Sequence, residues 1–106
     1  MDRIQSELVE WQKHNFPNRE VWHPLLGIGE EAGELYHAFL KRAQGIRGTK
    51  AEHDAAIKDV LADLYIFMAD FANAEGIDLQ KTIEQVWDGV VSRRDWSKLT
   101  APTEGA

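Results

Sequence analysis

Glu30, Glu31 and Glu34 fall within five consecutive positions, and Asp59, Asp63 and Asp70 recur further on at intervals of four and seven. On helices, residues three or four apart are surface neighbours, so each set forms one acidic strip. Like charges at such spacings oppose a helix by about 0.2–0.5 kcal/mol per pair. Burial makes the conflict far worse unless a cation is present. The simplest relief is a hard divalent ion. Magnesium prefers oxygen ligands and commonly keeps waters and substrate phosphates in its shell. The strips therefore point to a metal shared with a phosphate, since an acidic site cannot bind an anionic phosphate chain unaided. The plain alternative is a solvated acidic face, because charge runs are usually surface. Two features count against it. Leu25, Leu26, Ile28 and Leu35 surround one strip and the apolar residues of 60–71 the other. In addition, Gly27, Gly29 and Gly33 sit inside the helical pattern, where each costs up to about 1 kcal/mol relative to alanine. Glycines kept at that cost suggest close approach by another helix or a ligand.

The elements that must position these groups read as helices. Ile4, Leu8, Val9 and Trp11 give a first helix an apolar stripe, which Phe16-Pro17-Asn18-Arg19 breaks. Pro24 suits the first turn of a second helix, and Gly45 its C-terminal cap. Thr49-Lys50-Ala51-Glu52 has capping-box spacing, which starts a third helix near Lys50. Gly76 closes it, and Asp78 caps a fourth helix through Ile83, Val86, Trp87 and Val90. Long alternating β-branched runs are absent, so the fold class is all-α. If the second and third helices pack antiparallel across their short loop, the two acidic strips face each other. Val60, Leu61, Leu64, Tyr65, Ile66, Phe67, Met68 and Phe71 cover nearly the whole circumference of the third helix. A helix apolar all round is buried on all sides, which predicts a central helix that also packs against a second subunit.

The length of 106 residues suits one domain, with residues 1–99 as the helical unit and 100–106 as a frayed tail. Twelve basic against eighteen acidic residues give a net charge of -6. That argues against a protein that grips a nucleic acid backbone by charge alone. There is no cysteine, which excludes disulfides and zinc–thiolate sites. Met1-Asp2-Arg3-Ile4-Gln5-Ser6 lacks the apolar stretch of a signal peptide, and Asp63 and Asp70 interrupt the best apolar run. A cytoplasmic protein with no membrane partner is expected.

Glu30-Glu31-x-x-Glu34, a spacer, and then Asp59-x-x-x-Asp63 resemble the MazG-like all-α nucleotide pyrophosphohydrolases. The resemblance runs roughly over 4–96. It takes in Trp22-His23-Pro24-Leu25-Leu26 before the motif, Gly76-Ile77-Asp78-Leu79 after the third helix, and Arg93-Arg94-Asp95-Trp96 near the end. It implies a four-helix bundle completed by dimerisation, as a homodimer or a dimer of dimers. It also implies hydrolysis of nucleoside triphosphates, often deoxy forms, to monophosphate and pyrophosphate with Mg2+ or Mn2+. Carried over by position, Glu31, Glu34 and Asp63 are metal ligands, and Glu30 or Glu31 orients or deprotonates the attacking water. The family's second pair is usually E-x-x-D, which puts glutamate at position 60. Here that residue is Val60, and an acid stands one residue earlier as Asp59. Asp59 then coordinates directly, acts through water, or does neither.

Other side chains admit a nucleotide role beside a plainer one. Trp11, Phe16 and Trp22 can stack a base or simply fill the core. Asn73 can read a base or sugar edge, or cap local backbone. Lys41, seven after Glu34, can reach phosphates or lie in solvent. Arg93 and Arg94 can bind phosphate across a dimer, though helix C-termini favour arginine in any case. Glu34-x-x-His37 permits a di-iron carboxylate bundle. Its second copy, Glu20-x-x-His23, directly precedes Pro24 and so falls outside a helix. A helical dimerisation or partner-binding module without enzymatic activity is the remaining alternative.

Overall fold

The computed structural model describes residues 1–94. The expected tail at 100–106, the domain limit at 99, and Asp95 and Trp96 lie outside the described residues. Four helices follow in order, α1 (Arg3–Asn15), α2 (Trp22–Gln44), α3 (Lys50–Ala74) and α4 (Leu79–Arg93), with no strand among the described residues. Local chemistry sets their ends. The Asp2 carboxylate accepts the Gln5 N–H at 2.8 Å and caps α1. Gly45, at φ +69°, closes α2 in the left-handed region that glycine enters without steric cost. Thr49 and Glu52 exchange the two bonds of a capping box at the start of α3. Gly76 turns the chain at φ +69°, and the Asp78 carboxylate accepts the Lys81 N–H to open α4.

α2 and α3 form the main packed unit, a helical hairpin closed by the loop at 45–49, and α1 lies against α3. The pairing runs antiparallel. Gly27 meets Phe67 near one end of the hairpin, while Arg42 bonds to Asp54 at 2.7 Å near the other. The buried apolar core is small: Leu8, Ala38, Val60, Ala69 and Ala72. No helix among the described residues is long and apolar enough to cross a membrane.

Two helices leave surface uncovered within one chain. α3 is not enclosed within one chain: Leu61 is 53% exposed, and Ile66 and Met68 are exposed as well. α4 buries no residue and makes few contacts with the other helices, so one chain by itself does not complete a four-helix bundle. The radius of gyration, 18.0 Å, exceeds the roughly 13 Å of a compact domain of this length. On α1 the buried face is more polar than the expected stripe. Gln5 is fully buried beside Leu8, whereas Ile4 and Trp11 are exposed.

Gln5 explains how α1 meets the α3–α4 turn. Its side chain donates to the Ile77 carbonyl at 2.7 Å and accepts the Leu79 N–H at 3.0 Å. Asn73 donates to the Gln5 carbonyl at 3.0 Å. A buried amide is tolerable because its donor and acceptor are both matched.

Candidate metal centre

Glu30, Glu31 and Glu34 project from the middle of α2. One carboxylate oxygen from each lies within 4.8 Å of the others. Their environments differ. Glu30 and Glu34 are exposed at the rim, and Glu31 is only 8% exposed. Its Oε2 is buried and has no hydrogen-bond partner among the described residues. Burial pushes the Glu31 carboxyl above its ordinary value; the charges of Glu34, Asp63 and Glu30, and a carboxyl–carboxylate contact with Glu34, push it further the same way. A buried oxygen with neither a donor nor a counter-charge is costly, and the neighbouring carboxylates worsen it.

The residues of α3 divide. Asp63, exposed and outside the clustered group of oxygens, still adds its charge to the rise of the Glu31 carboxyl. Asp59 is exposed and contributes no oxygen to the clustered group. Val60, one residue beyond Asp59, is 7% exposed and lines a cavity with Glu30 and Glu34. Asp70 leaves the expected acidic strip altogether. It is 2% exposed and turned toward α1, where Arg19 holds both its oxygens and Gln12 donates to Oδ2 at 3.0 Å. Burial pushes the Asp70 carboxyl up, and the Arg19 charge opposes that shift.

A cavity of about 540 Å³ opens on the α2–α3 seam, with Glu30 and Glu34 on one wall and Val60 on the other. His37, Arg47 and His53 also line it. Arg47 sits in the loop between the two helices at φ +59°, the one non-glycine with positive φ among the described residues. A left-handed conformation costs such a residue about 1–2 kcal/mol. The surrounding bonds fix it there. Ile46 N–H donates to the Lys41 carbonyl at 3.2 Å, the His53 ring meets the Ile46 carbonyl at 2.9 Å, and the capping box follows at Thr49. Arg47 itself makes no ion pair among the described residues, whereas Arg42 and Lys50 both pair with Asp54.

The remaining candidates scatter. Trp11 and Phe16 touch, with ring centroids 5.7 Å apart, and Trp22 packs edge-on against His23 instead. Phe16 and Asn73 line a second cavity of about 320 Å³ beside α1, together with Gln12, Arg19 and Asp70. Lys41 bonds to Gln44 at 3.1 Å and does not line the carboxylate cavity. Arg93 ends α4 and Arg94 caps it, both exposed. Glu20 precedes α2, and its N–H donates to His23 Nδ1 at 3.1 Å, so that pair does not form a helical E-x-x-H. Of the three glycines of α2, only Gly27 meets a close neighbour; among the described residues nothing stands within 4 Å of a Cβ placed at Gly29 or Gly33.

Sequence reasoning passed over Arg19, Arg47, His53, Gln5 and Gln12. Arg47 had one signal, a lone cation between two glycines in a short loop. Arg19 had none, because its buried partner lies 51 residues away. Compared with known proteins, the chain matches no family model, no curated protein and no solved structure.

Proposed function

We propose that the chain is a metal-dependent nucleoside triphosphate pyrophosphohydrolase of the MazG-like type, cleaving (d)NTP to (d)NMP and pyrophosphate. The observation that carries this reading is the unpartnered, buried Glu31 Oε2 inside a ring of carboxylates. The donor set fits Mg2+ or Mn2+, which favour carboxylate oxygen. Glu31, Glu34 and Asp63 are the residues to hold the ion, with Glu30 at the rim. When bound, the divalent ion supplies charge neutralisation for the phosphate oxygens.

The chain's own groups then have distinct tasks. Glu30 or Glu31 takes the proton of the attacking water. The water oxygen bonds to the α-phosphorus while the bond from that phosphorus to the bridging oxygen breaks. The electron pair leaves with pyrophosphate. The α2–α3 seam keeps the reacting groups in line, and such positioning supplies much of the acceleration.

Self-association belongs to the same proposal. Leu25, Tyr36, Phe39 and Leu40 are exposed on α2 beside Gly29 and Gly33, and Leu61 and Met68 on α3. A second copy would cover these faces, giving a homodimer or a dimer of dimers. The same exposure favours the rival reading, a helical dimerisation module that does no chemistry.

The deciding experiment is a panel of nucleoside triphosphates assayed for pyrophosphate release with and without Mg2+. The expected result is metal-dependent release from at least one, lost in Glu34→Gln and in Asp63→Asn with the fold intact. Diphosphate and orthophosphate as products would overturn the cleavage position. No turnover of any triphosphate would favour the module.

A further inference from the structure

The cavity on the α2–α3 seam has two chemically different ends. Glu30 and Glu34 stand at one, and Arg47 comes in from the loop beyond Ala38 at the other. Along the helix at 1.5 Å per residue, Ala38 lies about 12 Å from Glu30 and about 6 Å from Glu34, a range that takes in the length of a triphosphate chain. Arg47 is fixed by its backbone yet not paired with the carboxylates that share its cavity. An arginine serving only to neutralise the glutamates would bond to them. One held apart, with its guanidinium donors available, suits an incoming anion.

We propose that Arg47 binds the two phosphates distal to the reacting phosphorus, so that it receives the pyrophosphate leaving group. This rests on the hydrolase reading above and assigns a residue to its triphosphate selectivity. Turnover then requires two phosphates beyond the one attacked, which selects triphosphates over diphosphates. When the bond to the α-phosphorus breaks, the negative charge that collects on pyrophosphate meets a fixed cation rather than water. His37 lines the same cavity. The left-handed backbone at Arg47 aims the side chain; strain kept in a loop pinned on both sides is the pattern of a residue held for a ligand.

The test uses the full chain and inorganic pyrophosphate as the probe, titrated calorimetrically with Mg2+ present, alongside Mg2+ alone. Arg47→Gly removes the charge at a position whose φ glycine accepts, so the variant keeps the loop and its melting temperature does not fall. Arg47→Lys keeps a charge. The expected result is unchanged Mg2+ binding in both variants. Pyrophosphate binding should weaken at least tenfold in Arg47→Gly and by less in Arg47→Lys. Pyrophosphate bound as tightly by Arg47→Gly as by the parent would overturn the role of Arg47 while leaving the metal centre and the hydrolase reading standing. No binding of Mg2+ or pyrophosphate by the parent chain, with no turnover of any triphosphate, would overturn both.

Discussion

The ring of Phe67 occupies the space that a side chain at Gly27 would need: a Cβ built at Gly27 stands 2.5 Å from ring carbon Cε1. The contact lies one turn before Glu31 on α2 and one turn beyond Asp63 on α3, so it sets the helix separation beside the carboxylates. Gly27→Ala should force the ring or the helix aside and destabilise the protein by about 1–3 kcal/mol, as overpacking does. Urea denaturation measures this. An unchanged midpoint would mean that Phe67 rotates away freely and does not gauge the seam.

Glu31→Gln should raise the melting temperature without metal. The amide removes a buried charge from beside three other carboxylates and brings its own donors to the site. The same variant should lose most of the stabilisation that Mg2+ gives the parent chain. Differential scanning fluorimetry with and without Mg2+ reads both effects. A lower melting temperature without metal would show that ionised Glu31 has a partner in solution.

Asp54 supplies the expected pH dependence. Lys50 and Arg42, each at 2.7 Å, bond to its ionised carboxylate and hold its pKa below the ordinary 3.8. A group whose pKa is lowered on folding stabilises fully above its unfolded value, and the contribution is lost as pH falls through the folded value. Asp54→Asn should therefore melt earlier than the parent at pH 7, with the gap closing as the pH drops below 3.8. Thermal melts across that range would show it. A gap that persists in acid would assign the effect to helix packing rather than to charge.

Arg19→Met should be among the most damaging single changes outside the carboxylate site. It leaves Asp70 buried without its cation, and breaking a buried ion pair from one side costs about 3–5 kcal/mol. Adding Asp70→Leu should recover much of that loss, because the pair then leaves together. A double-mutant cycle by chemical denaturation tests the coupling.

The helix ends were legible in the chain because local chemistry sets them: Thr49 with Glu52, Gly45, Gly76 and Asp78 each act within a few residues. The grouping of Glu30, Glu31 and Glu34 was legible for the same reason, since one helix carries all three. What could not be read was the direction in which α3 turns its acids. Asp63 and Asp70 are two turns apart and share a helix face by spacing. The structure nevertheless sends one toward α2 and the other into α1, because Arg19 arrives from a loop whose path no local pattern specifies. The placement of α4 was illegible for a related reason. An amphipathic stripe through Ile83 and Val86 says that a face is to be covered, not which surface covers it, and both side chains are exposed in one chain.

The fully buried amide of Gln5 also has a kinetic meaning. Its bonds reach 72 and 74 residues along the chain, to Ile77 and Leu79. The α2–α3 hairpin, by contrast, closes across a short loop. Closing a long loop costs more entropy before any contact repays it, so the hairpin has the advantage in time. The two outer helices should therefore lock onto it together, joined by Gln5 near the start of α1, and release together. Native-state hydrogen exchange would register this as shared opening of α1 and the first turn of α4 while the hairpin amides stay protected. Gln5→Ala would speed that opening and leave the hairpin's own exchange unaltered.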